Sequence, residues 1–306
     1  MPQIILKTNG LTKKYGEFYA LNAVSLTLNQ GGIYGLIGRN GAGKTTFFKC
    51  VMGLAKPTFG HLEIAGERKN LNAARRKMGF MINPSFFPYL GPKENLEYLC
   101  RVKGLKIKGE TERLLELVGL NGVKKPFKAF SLGMKQRLGI AGALLGSPSI
   151  VVLDEPINGL DPQGIIDMRN VIKNAHEQSG AAFIVSSHIL SELDLIATQF
   201  GFIEQGVLIK EITHENLHEQ TKKLLIIEVN DAQKAQTALK TIGIENISVN
   251  GSRLTLDSNL DKSNYIAKTL IESGVEIYDL HRQETTLEEY FIRLIGGGRN
   301  DQTDQR

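Results

Sequence analysis

The sequence has almost no cysteine: Cys50 and Cys100 are the only two in 306 residues, and their spacing fits no metal-ligand pattern. That excludes a disulfide-stapled scaffold and fits a reducing compartment, with both thiols read as core residues. Long apolar runs are missing too. No uninterrupted stretch approaches the roughly 20 residues a membrane helix needs, and Ile150–Leu153 meets a charge at once in Asp154. The opening, MPQIILKTNG, has no charged leader followed by an apolar block, so no signal peptide is expected. Such a soluble chain would act on a membrane only through a partner. Sustained heptads and Lys/Arg clusters interleaved with aromatics are also absent, which argues against long coiled coils and against nucleic acid as a partner.

What is present suits a globular chain of about two units. Apolar residues make up 42% and charged residues 23%, enough for a buried core under an ordinary surface. The net charge of +5 is mild and selects no partner by itself. Short β-like runs are predicted at Ile4–Lys7, Ala23–Leu28, Ile33–Ile37 and His61–Ile64, with Gly and Asn between them. A helix is predicted from Lys44 to Leu54, and mostly helical periodicity runs from Lys93 to about Leu145. Ile150–Leu153 and Ala182–Ser186 are fully apolar or nearly so, the pattern of strands buried on both faces, with a helix over Gly164–Gln178 between them. Strands alternating with helices predict an α/β fold with a mostly parallel sheet.

The chemistry begins at Gly38-Arg39-Asn40-Gly41-Ala42-Gly43-Lys44-Thr45-Thr46, which follows a strand and opens a helix. This is the context of a P-loop: glycines let successive N–H groups turn toward an anion, and the helix N-terminus adds its positive dipole. Lys44 would supply a charge to the β- and γ-phosphates of ATP, and Thr45 a hydroxyl to Mg²⁺. Asp154 and Glu155 close the strand Ile150–Leu153 at its carboxyl end, where ligands of open α/β sheets bind. Alternation sends their side chains in different directions, so different tasks are expected: Asp154 for Mg²⁺ with Thr45, Glu155 for orienting the attacking water. His188 follows the next buried strand, beside Ser186 and Ser187. From there it is positioned to hydrogen-bond the γ-phosphate and hold the water and Glu155 in register.

A second anion device lies at Phe130-Ser131-Leu132-Gly133-Met134-Lys135-Gln136-Arg137, where Ser131 is a natural helix N-cap next to a glycine N–H. Taken alone it is an ordinary capped helix. In order and spacing, however, the P-loop, this segment, Asp154-Glu155-Pro156, Gly159-Leu160-Asp161 and His188 resemble the ABC ATPase family over roughly residues 1–215. The resemblance implies the ABC ATPase fold: a mixed or parallel sheet core, an antiparallel β subdomain and a helical subdomain. It further implies a head-to-tail dimer with a second copy or a related ATPase subunit. Each ATP would lie between one P-loop and the signature Ser131-Leu132-Gly133-Met134 of the other chain. Asp161 would sit at the seam, and Tyr15 looks like the aromatic that stacks on adenine. Integral-membrane permease subunits would be the other partners, placing the protein peripherally on the cytoplasmic face of the cell membrane.

A closer resemblance, carried by SLGMKQRLGIA, by Ser186-Ser187-His188-Ile189-Leu190-Ser191-Glu192, by Leu287-Glu288-Glu289-Tyr290-Phe291 and by Gly296-Gly297-Gly298, is to the ATPase subunits of bacitracin-resistance and lantibiotic-immunity exporters. It implies a bacterial exporter of antimicrobial peptide or a similar amphipathic compound. Departures are local. Where Asn83 stands the family usually has Gln and the close subgroup often Glu, a residue that reaches Mg²⁺ or the water and senses the membrane partner. Asn83 is one methylene shorter, so a bridging water is its expected route. Leu132 and Met134 replace a glycine and a glutamine of the common signature. Ser131 and Gly133 retain the two positions with direct phosphate roles.

Two other classes fit the sequence less well. A non-transport ABC ATPase acting on ribosomes or nucleic acid would ordinarily carry two cassettes or long coiled coils, and neither is seen. A P-loop kinase would leave the signature and Asp161 unexplained. Beyond about Lys210 the predicted order, strand (Leu224–Val229), helix (Ala232–Ile242), strands (Ile247–Val249, Arg253–Leu256), helix (Lys262–Ser273) and strand (Val275–Asp279), is that of a ferredoxin-like split unit. A last helix is predicted over Thr286–Ile295. The division expected is an ATPase domain at 1–215, an accessory α+β domain at 216–298 and a disordered tail at 299–306.

Overall fold

Twelve residues of alternating character, Ile4–Tyr15, make the first strand (β1), longer than the four-residue run predicted there. It reverses at Gly16-Glu17 into β2 (Phe18–Val24), pairing Tyr15 with Phe18. β3 (Thr27–Asn29) and β5 (Phe59–Ile64) complete an antiparallel four-stranded sheet on β1. The single strand predicted over Ala23–Leu28 is broken in two. The buried Thr8 hydroxyl donates to the Val24 carbonyl (3.1 Å) and accepts from the Leu26 N–H (2.9 Å), so a side chain replaces the ladder where the backbone bends.

This is a computed structural model, and it describes residues 3–106, 109–221, 223–258, 260–283 and 286–297. The tail expected to be disordered, 299–306, lies outside them. The chain divides into two compact units, residues 1–214 and 215–306.

The first unit is organised on a second sheet. Its strands are β4 (Ile33–Ile37), β6 (Met78–Met81), β7 (Ile150–Leu153), β8 (Ala182–Ser187), β9 (Gln199–Glu204) and β10 (Val207–Thr213). The spatial order is β10-β9-β4-β8-β7-β6, parallel throughout except for the β10–β9 pair. Every residue of β4, β7 and β8 is buried, as their apolar sequences require of strands covered on both faces. Registers Ile37↔Ser187 and Leu153↔Val185 bring the carboxyl ends of these strands to one edge. Helix α1 (Lys44–Met52) leaves β4 there, and α2 (Leu71–Arg75) precedes β6. The helical stretch resolves into α3 (Pro92–Lys103), α4 (Glu110–Leu117) and α5 (Leu132–Leu144), which pack on one another; α6 (Pro162–Ser179) contacts α4 and α5, and α7 (Leu190–Asp194) follows β8.

Two close approaches fix this sheet. Tyr34 of β4 is fully buried and donates to Glu211 Oε1 of β10 at 2.7 Å, reaching across β9. Gly201 of β9 leaves the room, since a Cβ there would lie 2.1 Å from the Tyr34 oxygen. Burial pushes both the Glu211 carboxyl and the Tyr34 phenol up from their usual values. On the far side, α5 lies against β6 so tightly that a Cβ on Gly79 would fall 1.8 Å from the Ala143 carbonyl oxygen.

After α8 (His214–Gln220), the second unit runs β11 (Leu224–Val229), α9 (Ala232–Thr241), β12 (Ile247–Asn250), β13 (Arg253–Leu256), α10 (Ser263–Glu272), β14 (Ile277–Gln283) and α11 (Leu287–Gly297). The sheet order β12-β13-β11-β14, antiparallel throughout, is that of a split βαββαβ unit. Leu225, Ile227 and Val229 of β11 form its core with Ala235 and Leu239 of α9 and Ile266 and Leu270 of α10. β14 starts two residues later than predicted. The Val275 N–H is taken by the Leu270 carbonyl of α10 (3.0 Å) and the Glu276 N–H by the Asn230 side chain (3.1 Å), which holds both residues out of the ladder.

The Gly79 contact is backbone against backbone and has no side chain to yield. Gly79→Ala should therefore destabilise the first unit by about 3 kcal/mol, read as a lower denaturation midpoint for that unit with the second unit's transition unmoved.

Candidate nucleotide site

Gly43 sets the geometry of the loop between β4 and α1. Its φ of +111° is open to glycine alone, and a Cβ would lie 2.7 Å from the Ala20 carbonyl. The backbone thereby bends sharply ahead of α1, a nine-residue helix whose first residues Lys44, Thr45 and Thr46 line the loop cavity, so its positive dipole end faces that space. The loop encloses a cavity of about 180 Å³ lined by Phe18, Ala20, Arg39, Asn40, Gly41, Ala42, Gly43, Lys44, Thr45, Thr46 and Glu155. Gly38 stands just before it, where a Cβ would meet the Ile203 carbonyl at 2.4 Å.

Lys44 is 5% exposed, and its ammonium is held by the Gly38 carbonyl (2.5 Å), the Arg39 carbonyl (3.1 Å) and Glu155 Oε1 (3.0 Å). The last contact is an ion pair without hydrogen-bond alignment, which leaves the buried Glu155 Oε1 short of a donor. An inward-facing acceptor of this kind suits a water molecule. Oε2 of the same carboxylate lies 3.0 Å from His188 Nδ1. An ionised carboxylate can only accept, so the imidazole carries its proton on Nδ1. A neutral ring then offers Nε2 as an acceptor, and donation from both nitrogens requires the imidazolium.

Asp154 is bound through both oxygens. The Thr45 hydroxyl donates to Oδ2 at 2.7 Å and the Ser186 hydroxyl to Oδ1 at 2.7 Å. Its N–H donates to the Met81 carbonyl (2.9 Å), which fixes the end of β7 against β6. Glu155 itself has φ +49° in the left-handed region, a conformation that costs a non-glycine residue roughly 1–2 kcal/mol. The two adjacent carboxylates take different partners: Asp154 holds Thr45 and Ser186, Glu155 faces Lys44 and His188.

Other residues singled out in the sequence lie elsewhere. Ser131 is the N-cap of α5, accepting from the Met134 N–H at 3.3 Å, and is exposed. Ser131, Leu132, Gly133 and Met134 do not line the loop cavity. Two of them lie against the segment after Glu155 instead: Leu132 Cδ2 lies 3.1 Å from the Cβ position of Gly159, and Leu160 Cδ2 lies 3.6 Å from that of Gly133. Asp161 is the N-cap residue of α6 but makes no side-chain cap bond. Asn83 is exposed at φ +42° and lines a different cavity, of about 760 Å³, with Phe86, Leu99, Val102 and Lys103. Tyr15 is 50% exposed, with the Lys13 ammonium 4.8 Å over its ring, and does not line the loop cavity; Phe18 does. Phe18, Ala20 and the contacts of Ser186 were not singled out from the sequence. A serine near the end of an otherwise apolar buried strand signals that its hydroxyl needs partners, without saying which.

The family model described as ABC transporter matches residues 21–158. The bacitracin transport ATP-binding protein BcrA of Bacillus licheniformis is 39% identical over 300 residues, covering 96% of this chain and 98% of that protein. The lantibiotic transport ATP-binding protein SrtF of Streptococcus pyogenes is 38% identical over 228 residues, 73% of this chain and 99% of that protein. Among solved structures, a dimeric ATP-binding cassette in a post-hydrolysis state with ADP and Pi is 26% identical, with a TM-score of 0.62, covering 69% of this chain and 99% of that one.

The Lys44 ammonium is enclosed by the loop's own carbonyls. Lys44→Ala should weaken ATP binding about 100-fold or more, the loss of a charge-assisted contact to phosphate, measured by titration calorimetry; unchanged affinity would remove this loop as the phosphate site.

Proposed function

The chain belongs to the ATP-binding subunits of ABC transporters, a family that binds and hydrolyses ATP, and on that premise we propose that it drives a bacterial exporter of bacitracin- or lantibiotic-type peptides. The observation that carries this is the match to BcrA along nearly the whole of both chains, joined to a carboxylate that bridges the loop lysine and a histidine.

Thr45 Oγ1 and Asp154 Oδ2, 2.7 Å apart at the mouth of the loop, are the hard oxygen donors Mg²⁺ prefers, so the donor set fits that ion. When bound, Mg²⁺ supplies charge neutralisation on the phosphate oxygens. The chain's own residues do the rest. The loop N–H groups and Lys44 grip the triphosphate. Glu155 Oε1, short of a donor, accepts a hydrogen bond from water and orients it, and His188 keeps that carboxylate from rotating. A triphosphate and Glu155 compete for the same ammonium. Nucleotide binding therefore releases the carboxylate to act on water.

Ser131 and Gly133 are exposed or partly exposed and lie off the cavity of their own chain, which supports their use by a second copy in a head-to-tail dimer. Asp161 joins the signature contacts through Leu160 and would carry the state of one site to the other. Tyr15, at the exposed end of β1, would stack on adenine with Phe18 nearby. Asn83 belongs with the membrane partner: it lines the larger cavity, whose apolar wall and flanking Lys103 suit a permease segment. No helix among the described residues is long and apolar enough to cross a membrane, so a separate permease would supply the pathway and hold this subunit at the cytoplasmic face.

Glu155→Gln should cut ATP turnover about 100- to 1,000-fold, as expected for losing a water-orienting base, while raising ATP affinity about fivefold because Lys44 loses its competing carboxylate. Gel filtration with ATP should show an accumulated dimer. A fast, strictly monomeric Glu155→Gln enzyme would contradict both roles.

A further inference from the structure

We infer that Ser186 is a positioning residue that sets both carboxylates of the site, an inference resting on the assignment of Asp154 to Mg²⁺ and Glu155 to water. Ser186 is fully buried near the end of β8, after the apolar residues Ala182–Val185. A hydroxyl in such a place must find partners. The register Leu153↔Val185 places it beside the Asp154-Glu155 peptide, and it takes two: its Oγ donates to Asp154 Oδ1 at 2.7 Å and accepts from the Glu155 N–H at 2.9 Å. A hydroxyl has one proton to give, so donating to Asp154 and accepting from Glu155 fixes its rotor completely.

Each contact does a separate job. With Oδ1 held by Ser186, the Asp154 carboxylate is fixed in the orientation that presents Oδ2 to Thr45, the pair of oxygens that would hold Mg²⁺. The N–H of Glu155 belongs to a residue in the left-handed region just past the strand, beyond the regular ladder. Its bond to Ser186 offsets the cost of that conformation and keeps the side chain aimed at Lys44 and His188. One buried oxygen thus locks the angle between the metal-facing and water-facing carboxylates. Ser186 itself does not line the loop cavity.

The test uses the full chain carrying Ser186→Ala. Nucleotide grip by the loop does not depend on this hydroxyl, so ATP affinity measured calorimetrically without Mg²⁺ should stay within about twofold of native, whereas turnover should fall about 10- to 100-fold, the scale of a misplaced catalytic group. The Mg²⁺ concentration giving half the Mg²⁺-dependent gain in ATP binding should rise about tenfold, the order expected when a metal ligand loses its supporting hydrogen bond. Ser186→Thr keeps the hydroxyl and should retain the native Mg²⁺ response. A folded Ser186→Ala protein with native Mg²⁺ response overturns the inference, even if turnover drops, because damaged packing alone would do that. If Ser186→Ala does not fold, the near-isosteric Ser186→Cys, a far weaker donor, takes its place with the same two outcomes. Failure of both to fold while Ser186→Thr folds with an altered Mg²⁺ response also overturns it, since volume and not the hydroxyl would then be what β8 requires. Asp154→Asn is measured alongside. An unaltered Mg²⁺ response there defeats the metal assignment and this inference together, whereas a shifted response there with a native one in Ser186→Ala defeats the Ser186 role alone.

Discussion

An ammonium and a carboxylate 3.0 Å apart, Lys44 and Glu155, set the terms for the rest of the molecule. Lys44 is buried, so its charge has to be balanced whether or not an anion fills the loop. Two loop carbonyls and Glu155 provide that balance. The pairing in turn demands that the ends of β4, β7 and β8 meet at one edge, and the parallel registers deliver this. It also demands that a non-glycine residue adopt a left-handed backbone, which is tolerated because Ser186, Lys44 and His188 all hold Glu155 in place. The strain sits where the geometry is needed, and the buried strands beneath it supply the rigidity.

The parts of the site legible in the sequence were those whose meaning is local. A glycine-rich turn between strand and helix encloses a cavity because of chain geometry within nine residues, and Gly43, Lys44 and Thr45 line it. Asp154 and Glu155 at the end of an apolar strand were legible for the same reason. His188 needed one further step, the adjacency of β7 and β8, which two apolar runs separated by a helix made inferable. What was not legible depends on register and on side-chain reach. Nothing in the order of residues says that Val185 pairs with Leu153, so the double contact of Ser186 could not be read in advance. Phe18 lines the loop cavity because β2 folds back along β1, and Asn83 faces a different cavity because of its own left-handed turn.

The fold shows the same division. Fully apolar strands announced a sheet covered on both faces, and the βαββαβ order of the second unit followed from periodicity. The antiparallel sheet was harder. Its first strand runs through glycine and lysine to Tyr15, and its break at Ser25-Leu26 is made by the hydroxyl of Thr8, distant in sequence. A side chain competing for ladder positions leaves no periodic trace.

On the proposed reading, this chain supplies one half of the nucleotide's surroundings, and Ser131 and Gly133, which do not line their own loop cavity, would be the other half offered to a second copy. The most direct measurement is a cysteine cross-link in a chain carrying Asn40→Cys and Ser131→Cys, since the native Cys50 and Cys100 are buried. The account predicts a disulfide-linked dimer that forms with ATP and not with ADP, through Asn40→Cys of one copy and Ser131→Cys of the other. A link formed only within one chain, or a dimer yield indifferent to nucleotide, would contradict it.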